Sequence, residues 1–437
     1  MWTKHLLPTD RGATCLDGSA GGYYLRRADP SRWIIFFEGG GWCLSASDCA
    51  SRAATPLGSS KGWHELPEES YTDAHSLFTA SPFRNHTAVF AKYCSGDSWS
   101  GDVDAPVQVA GAGARSSFIY HRGQRLLREL IEELLGERSL GAARVVLLGG
   151  CSAGALTTYL HADRIADWLQ NVPTPAAASL PEPSGRSHAA APRVLALADG
   201  MFPLDAHSWT GEALLQTAFG WAYRAWNASV HPSCLRAMGE ADAWRCLIGG
   251  VAARYVSTPL FTLASKYDLW QGGAVIGANA TVGEVPPPIR DYWVEYGGRM
   301  VQALLALPPQ QSFYLTSCVA HCQTGSARQD AWSRGAWNGT LIDDTLVESA
   351  VYSWYTATVR GQISGHGSGR GGSGTREGGR WLDDCDVQPC PENQCGNTAD
   401  RRRRPFPSKS RPWWRALGSR LFGWRGSKAS LPAREEL

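Results

Sequence analysis

The stretch that decides the fold is Val145-Val146-Leu147-Leu148-Gly149-Gly150-Cys151-Ser152-Ala153-Gly154-Ala155-Leu156. Its four leading apolar residues predict a short buried strand, and the apolar residues at its end can open a helix. Between them lies G-x-S-x-G, which holds a serine on a sharp strand-to-helix turn with its hydroxyl exposed. An ordinary glycine-rich βα turn is the alternative. The preceding strand favours the first interpretation, in which Ser152 is a nucleophile.

Further strands are predicted on both sides of this turn. Stretches rich in β-branched, aromatic and other apolar residues mark them at 31–37, 87–94, 193–198, 259–265 and 311–316. Helical spacing of apolar residues within 118–135 predicts a helix that leads into the strand before Ser152 as a β-α-β unit. The tryptophan-rich segment 208–255 is expected to be helical and to form a lid. These patterns indicate an α/β fold with a mostly parallel central sheet flanked by helices and loop insertions.

Three of the predicted strand ends carry the residue types of a catalytic triad. Ser152 follows the strand at 145–148, Asp268 follows 259–265, and His321 follows 311–316. The carboxyl ends of parallel strands meet at one edge of a sheet, where such folds place their sites. Ser, Asp and His is also the chain order of the α/β-hydrolases. We therefore predict Ser152 as nucleophile, His321 as base and Asp268 as the acid that orients it.

Two choices within this triad stay open. Asp199 also ends a predicted strand and is the alternative acid; Asp268 is preferred because it is the next such acid before the histidine. His207 and His231 remain alternatives among the eleven histidines. His321 is preferred because a strand precedes it and flanking cysteines can hold its loop.

A glycine run follows the strand at 31–37 and reads Glu38-Gly39-Gly40-Gly41-Trp42-Cys43. In hydrolases of this kind such a run supplies the second half of an oxyanion hole, because glycine lets backbone N–H groups approach the substrate. Side chains that follow the strand ends are expected to line the pocket: Trp42, Asp97, Trp99, Trp270 and Gln271. Rings mixed with polar groups suit a sugar better than a long aliphatic chain.

Charge is distributed unevenly along the 437 residues. The formal net charge is +2, but residues 401–437 hold eleven Lys or Arg against two Glu, which leaves 31 basic and 38 acidic residues in the rest. A mildly acidic body argues against nucleic-acid binding. No stretch is long and apolar enough to predict a membrane span.

Composition predicts four segments. Residues 1–360 form the catalytic domain, which contains an inserted Pro- and Ala-rich loop at 172–192. A glycine-rich linker follows at 361–380, then a cysteine-rich segment at 381–397 that is expected to dock on the domain. The basic tail at 398–437 is expected to be disordered. Its interleaved tryptophans leave weak contact with a membrane surface as the alternative.

Twelve cysteines and four N-x-[ST] sequons, at Asn85, Asn227, Asn279 and Asn338, indicate a secretory compartment. At least four disulfides are expected, among them Cys43–Cys49, Cys234–Cys246 and Cys318–Cys322. Cys318-x-x-His321-Cys322 also resembles half of a zinc site, but no second pair with C-x-x-C spacing occurs, so we expect no metal and no cofactor. No apolar signal region follows Met1–His5, which leaves an upstream start or another export route open.

These motifs together resemble the pectin acetylesterase family, which also contains the animal protein Notum. The matching segments span residues 10–395 in the family's order: Ala13-Thr14-Cys15-Leu16-Asp17-Gly18-Ser19, Glu38-Gly39-Gly40-Gly41-Trp42-Cys43, Tyr93-Cys94-Ser95-Gly96-Asp97-Ser98-Trp99-Ser100-Gly101, Arg122-Gly123-Gln124-Arg125, Gly150-Cys151-Ser152-Ala153-Gly154, Tyr267-Asp268-Leu269-Trp270-Gln271 and Ser317-Cys318-Val319-Ala320-His321-Cys322-Gln323-Thr324. The resemblance implies an α/β-hydrolase fold and a carboxylesterase. It implies the same triad, with an oxyanion hole from the N–H groups of Gly40, Gly41 and Ala153.

Details of the motifs are similar to the plant branch of that family. Cys151 before the serine is a plant-type feature, whereas Notum-like members tend to carry a serine there. Two departures stand out: Ala155 replaces a second glycine, and the strand at 194–198 lacks the cysteine of plant members, which leaves Cys151 without its usual partner.

The sequence thus predicts a secreted serine carboxylesterase that removes acetyl groups from cell-wall polysaccharide, with pectin as the expected substrate. A Notum-like hydrolase of long acyl esters is the first alternative. A non-catalytic, secreted carbohydrate-binding protein is the second.

Overall fold

A nine-stranded, mostly parallel sheet forms the centre of the structure. The structure is a computed structural model and describes residues 1–67, 76–79, 83–110, 116–136, 138–171, 191–278, 280–325, 337, 339–342, 344–361 and 379–383. The strands of the central sheet are β1 (Thr3–Leu6), β2 (Gly22–Arg26), β3 (Asp29–Phe37), β4 (His86–Ala91), β7 (Val145–Cys151), β8 (Arg193–Asp199), β9 (Leu260–Ser265), β10 (Ser312–Thr316) and β13 (Arg380–Leu382). Two separate pairs of short strands are β5 (Val107–Ala110) with β6 (Ser116–Ile119), and β11 (Leu341–Ile342) with β12 (Thr345–Leu346).

The order across the sheet is β1-β2-β4-β3-β7-β8-β9-β10-β13. From β4 to β13 every neighbouring pair is parallel, while β1 and β2 complete the edge antiparallel. β7 is buried along its whole length, as expected for a strand covered on both faces. The predicted α/β fold and all five further strands are confirmed, with ends that shift by one to three residues.

Helices cover both faces of the sheet. They are α1 (Ala46–Arg52), α2 (Gly123–Gly136), α3 (Ala153–Gln170), α4 (Leu214–Ala225), α5 (Pro232–Met238), α6 (Gly249–Ala252), α7 (Leu269–Gln271), α8 (Pro287–Leu305) and α9 (Val347–Val359). Successive β3 residues point to opposite faces: Ile35 packs in the core formed with α2, α3 and α8, and Ile34 packs in the core that contains α9. Short 3₁₀ turns and one π turn complete the helical structure at Leu140–Ala142, Glu240–Leu247, Ala253–Tyr255 and Gly272–Ile276.

The helix expected within 118–135 begins only at Gly123. Residues Ser116–Ile119 instead form β6, which pairs antiparallel with β5. Ile119 belongs to a small apolar cluster with Val109, Cys43 and Cys49 rather than to the core that contains the helix. Ile119 fits the helical spacing of apolar residues in the sequence, but its tertiary contacts place it in a strand instead.

The tryptophan-rich segment 208–255 is largely helical, as predicted. It holds α4, α5 and α6 with the Glu240–Leu247 turn, and the predicted Cys234–Cys246 disulfide joins α5 to that turn. The predicted Cys43–Cys49 disulfide is also present, and Cys15–Cys94 links the loop before β2 to the end of β4.

Several predicted segments lie largely outside the described residues. These are the insert at 172–192, the linker at 361–380, the cysteine-rich segment at 381–397 and the tail at 398–437, together with Asn279 and Asn338. Residues Arg380–Leu382 are described, and they add β13 beside β10 at the edge of the sheet. In the described part of the chain, no helix has both the length and the apolar character to cross a bilayer.

Candidate active site

Ser152 lies on the tight turn between β7 and α3, with a left-handed φ of 57°. The flanking glycines are required by space. A Cβ on Gly154 would lie 1.9 Å from the Phe37 carbonyl oxygen, and one on Gly150 would lie 2.3 Å from the Gly154 backbone. The turn therefore holds a residue in a conformation that only surrounding contacts can maintain, which is typical of functional sites.

The glycine run after β3 passes directly against this turn. A Cβ on Gly39 would lie 2.6 Å from the Cys151 carbonyl oxygen. Gly40 and Gly41 have φ values of 138° and 68°, so both need glycine. The Gly40 carbonyl accepts a hydrogen bond of 2.9 Å from Arg52 Nη2.

Glu38 anchors the start of the run. Its carboxylate accepts from Lys92 Nζ at 2.5 Å and from the Tyr93 N–H at 2.7 Å. The run is thereby tied to the chain that follows β4 as well as to the Ser152 turn. Ala153 begins α3, and the first N–H groups of a helix have no partner within it.

His321 and Asp268 form a buried pair. His321 Nδ1 lies 2.8 Å from Asp268 Oδ2, with Asp268 fully buried and His321 6% exposed. The second carboxylate oxygen of Asp268 accepts the N–H groups of Trp270 and Gln271, at 2.8 and 2.9 Å. The pair forms because β9 and β10 are parallel neighbours whose carboxyl ends deliver both residues.

The alternative acid occupies a different position. Asp199 is fully buried at the end of β8, and its Oδ2 accepts the N–H groups of Gln323 and Thr324 at 2.7 Å each. Burial raises the pKa of Asp199 to about 6. Its carboxylate accepts hydrogen bonds from the loop after His321, from two backbone N–H groups and the Thr324 hydroxyl, and not from the imidazole.

The alternative bases lie elsewhere. His231 contacts Asp163 on α3 at 3.0 Å, at the start of α5. His207 is exposed, and its carbonyl accepts from the Tyr292 hydroxyl. Of the three histidines considered, His321 is the one in contact with Asp268.

Two of the expected lining residues stand beside this pair. The Trp270 ring lies 6.4 Å from that of His321, and Trp42 packs edge-on against Trp270 at 5.2 Å. Trp42 Nε1 donates to Ser98 Oγ, which donates to the Ala153 carbonyl, both at 2.7 Å. Phe219 of α4 contacts the Trp42 ring at 5.5 Å, so the segment predicted to be a lid borders the candidate site.

Asp97, Trp99 and Gln271 do not line an open surface, contrary to expectation. Asp97 is fully buried, accepts from Ser95 Oγ at 2.5 Å, and burial raises its pKa to about 6. Trp99 is 1% exposed and packs on the Phe37 ring. Gln271 is 1% exposed and accepts from the Tyr296 hydroxyl at 2.7 Å. These side chains are packed inside the protein around the loops of the site.

Sequence reasoning did not single out Ser98 or Phe219 individually. Ser98 lies within the motif 93–101, and its left-handed φ of 51° is the kind of feature that only backbone coordinates reveal. Phe219 lies within the predicted lid, whose position relative to the site depends on tertiary packing.

A disulfide joins the two halves of the site. Cys151, immediately before Ser152, bonds Cys322, immediately after His321, across 171 residues of sequence. Cys151 is therefore paired although the strand at 194–198 carries no cysteine, and the predicted Cys318–Cys322 pairing is wrong; Cys318 is itself disulfide-bonded. Because β8 and β9 separate β7 from β10 in the sheet, the loop after β10 must cross their carboxyl ends to reach Cys151, where the two Cα atoms lie 5.8 Å apart.

The family profile described as Pectinacetylesterase matches residues 3–364. The chain belongs to this family. As a pectinacetylesterase-family member it is a carboxylic-ester hydrolase, and the resemblance drawn from the motifs is confirmed.

Two relatives illustrate the family's range. The chain is 28% identical over 364 residues to Pectin acetylesterase 11 of Arabidopsis thaliana, which covers 79% of this chain and 84% of the relative. It is 27% identical over 365 residues to Palmitoleoyl-protein carboxylesterase NOTUM of Homo sapiens, covering 80% of this chain and 65% of that one. The identities of 28% and 27% are too similar to assign the chain to either the pectin acetylesterases or the NOTUM carboxylesterases.

We predict that the double variant Cys151→Ser, Cys322→Ser loses both stability and turnover. Because the bridge closes a loop of 171 residues against 12 for Cys234–Cys246, chain entropy makes it about 2 kcal/mol more stabilising. The matched control is Cys234→Ser, Cys246→Ser, which should lower the melting temperature less and leave kcat near wild type. Melting curves and kcat on p-nitrophenyl acetate give the comparison; an unchanged kcat in the first variant would contradict a role in the site.

Proposed function

We propose that this protein is a serine esterase that removes acetyl groups from cell-wall polysaccharide of the pectin class. The observation that carries the proposal is the buried Asp268–His321 pair, held by a disulfide to the strained turn of Ser152. Plain family membership establishes only ester hydrolysis. The triad assignment and the substrate rest on the arguments below.

The mechanism follows from this arrangement. A serine hydroxyl is a weak nucleophile until a base takes its proton. His321 takes the Ser152 proton at Nε2, since its Nδ1 faces Asp268. Ser152 Oγ then bonds the acetyl carbonyl carbon. The sugar oxygen leaves with the proton from His321, and an acetyl-serine remains. Water, deprotonated by His321, releases acetate and restores the serine.

Negative charge on the carbonyl oxygen needs stabilisation during both steps. The N–H groups of Gly40, Gly41 and Ala153 are proposed to donate to it. Ala153 begins an 18-residue helix, whose N-terminal dipole favours negative charge. Asp268 fixes the imidazole tautomer and stabilises the imidazolium.

The aromatic side chains support an acetyl group over a long acyl chain. Trp42 is 3% exposed and packs against both Trp270 and Phe219, so its ring fills space beside the triad. Each buried CH₂ of a long chain is worth about 0.8 kcal/mol only where an apolar cavity receives it. The Trp270 ring, part-exposed beside His321, is placed to stack on a sugar.

A long-acyl ester hydrolase is the second candidate. The similarity to the human carboxylesterase NOTUM, at 27% identity, is the observation that favours it. A shift of Trp42 or Phe219 would open the required space, so acyl-length preference separates the two.

An extracellular location is part of the proposal. Four disulfides join eight of the described cysteines, which is typical of oxidising compartments. Asn85 and Asn227 of the predicted glycosylation sites are both exposed.

We expect Ser152→Ala to abolish ester hydrolysis without loss of the fold. Removing the nucleophile lowers kcat by several powers of ten, and the residual rate is about 10³–10⁴-fold above that of the uncatalysed reaction in water. Ser47→Ala on exposed α1 is the control and should stay fully active. Acetate release from acetylated pectin and circular dichroism provide the measurements. Wild-type activity in Ser152→Ala would refute the mechanism, and binding without hydrolysis by the wild type would favour the carbohydrate-binding alternative.

Asp268→Asn should lower kcat by roughly 10⁴, because the amide selects the wrong histidine tautomer. Asp199→Asn should lower kcat far less, since the hydrogen bonds of the Asp199 carboxylate go to Gln323 and Thr324 and not to the imidazole. Steady-state kinetics on p-nitrophenyl acetate distinguishes them. The reverse order of effects would exchange the two acids.

We further expect kcat/KM for p-nitrophenyl acetate to exceed that for the octanoate. The Phe219→Ala variant should narrow this difference, because it removes a ring that packs on Trp42. Acetate release from acetylated pectin is assayed alongside. A wild-type preference for octanoate with no release from pectin would support the long-acyl candidate instead.

A further inference from the structure

Asp199 is connected to both halves of the site at once. Its backbone carbonyl accepts the Ser152 N–H at 2.8 Å. Its carboxylate Oδ2 accepts the N–H groups of Gln323 and Thr324 at 2.7 Å and the Thr324 hydroxyl at 2.8 Å. The two acceptors of one residue thereby bridge the nucleophile turn and the loop that follows His321.

The next residue brings the same strand end into contact with His321 itself. Gly200 has a left-handed φ of 73°, and a Cβ there would lie 2.3 Å from the His321 carbonyl oxygen and 3.5 Å from Cys322 Sγ. The backbone of His321 therefore rests on the end of β8. The distance of the His321 backbone from the sheet therefore depends on the positions of Asp199 and Gly200.

We propose that Asp199 is a positioning residue of the esterase, which locks the His321 loop to the Ser152 turn. The proposal rests on the proposed roles of Ser152 and His321. Asp199 is fully buried and acts through the two loops that it joins, without touching substrate. Three donors converge on one oxygen, so the loop has a single favoured position, and a displacement of about 1 Å at a reacting group costs up to 10²-fold in rate.

The charge of Asp199 adds an electrostatic contribution. Its Oδ1 has no hydrogen-bond partner in the described part of the chain, and burial raises its pKa to about 6. The titratable groups that face it are His321 and, from α3, Tyr159, while the neighbouring β7 and β9 present the disulfide-bonded Cys151 and Leu263. Above pH 6 the carboxylate is ionised and favours the imidazolium that forms during the reaction.

The decisive variants are Asp199→Asn and Asp163→Asn. Asp163 is a matched control because its carboxylate also accepts two backbone N–H groups, those of Ser257 and Thr258. These two residues precede β9, so they lie at the amino ends of the parallel strands, away from the candidate site. Burial alone would raise the pKa of Asp163, but hydrogen bonds from His231, Ser257 and Thr258 outweigh it and hold the pKa well below its usual value.

The two variants should show opposite behaviour. For Asp199 the folded-state pKa is raised, so the wild type gains stability as pH falls from 8 towards 5, and its Asn variant should melt no lower than wild type at pH 8. For Asp163 the folded-state pKa is lowered, so its Asn variant should melt lower at pH 8 and approach the wild type in acid. Melting curves at several pH values measure this.

In the kinetic measurements Asp199→Asn, and not Asp163→Asn, should be the impaired variant. Asp199→Asn should lower kcat by about tenfold or more with little change in KM, and Asp199→Ala by up to about 10²-fold. Because the Asn side chain does not titrate, the fall of kcat/KM below about pH 6 should be less steep than in the wild type. Asp163→Asn should keep the wild-type kcat and pH profile.

Each outcome separates the alternatives. Wild-type kcat and pH profile in folded Asp199→Asn and Asp199→Ala would overturn the proposal, even with Ser152→Ala inactive. Activity in Ser152→Ala would overturn the proposed function itself. If the Asp199 variants do not fold, Thr324→Val removes one of the three bonds; the proposal then requires a lower kcat at unchanged KM, and an unchanged kcat refutes it.

Discussion

The left-handed backbone of Ser152 is the constraint on which the rest of the structure depends. The turn can form only if Gly150 and Gly154 come close to each other and Gly154 lies against the Phe37 carbonyl. That contact needs β3 and β7 side by side and in register, which the sheet supplies by pairing Phe37 with Gly150. The pairing of β3 with β7 and the position of Ser152 therefore depend on each other. A strained residue of this kind persists because its surroundings over-determine it.

Three contacts connect the His321 loop to the ends of β7 and β8 at this turn. The Cys151–Cys322 disulfide is covalent, the Asp199 carboxylate binds the loop backbone, and Gly200 allows direct contact with His321. All of them act at the carboxyl ends of β7, β8 and β10. They tie together residues that lie 171 positions apart in the chain.

Two carboxylates, the half-buried Asp163 and the fully buried Asp199, show how differently the fold uses the same chemical group. Both oxygens of Asp163 accept hydrogen bonds, from backbone, hydroxyl and imidazole donors, and its pKa is lowered. Asp199 concentrates its donors on one oxygen, leaves the other without one, and its pKa is raised to about 6. The first arrangement stabilises the fold at neutral pH. The second costs stability beside the proposed catalytic residues, and such raised pKa values are common at functional sites.

The sequence by itself determined the sheet strands around the site and which residues end them. Short apolar runs and glycine turns are local signals of strands and their ends. Because parallel strands bring their carboxyl ends together, the order of strands along the chain was enough to predict Ser152, Asp268 and His321 as the candidate triad. It did not determine the partner of Cys151, the start of the helix at Gly123, or the burial of Asp97 and Trp99. These depend on contacts between residues distant in sequence, which local periodicity does not encode. Only the tertiary structure decided that Cys322 and Asp199 meet the turn of Ser152, because the separation of strand ends in space is set by sheet order and not by spacing along the chain.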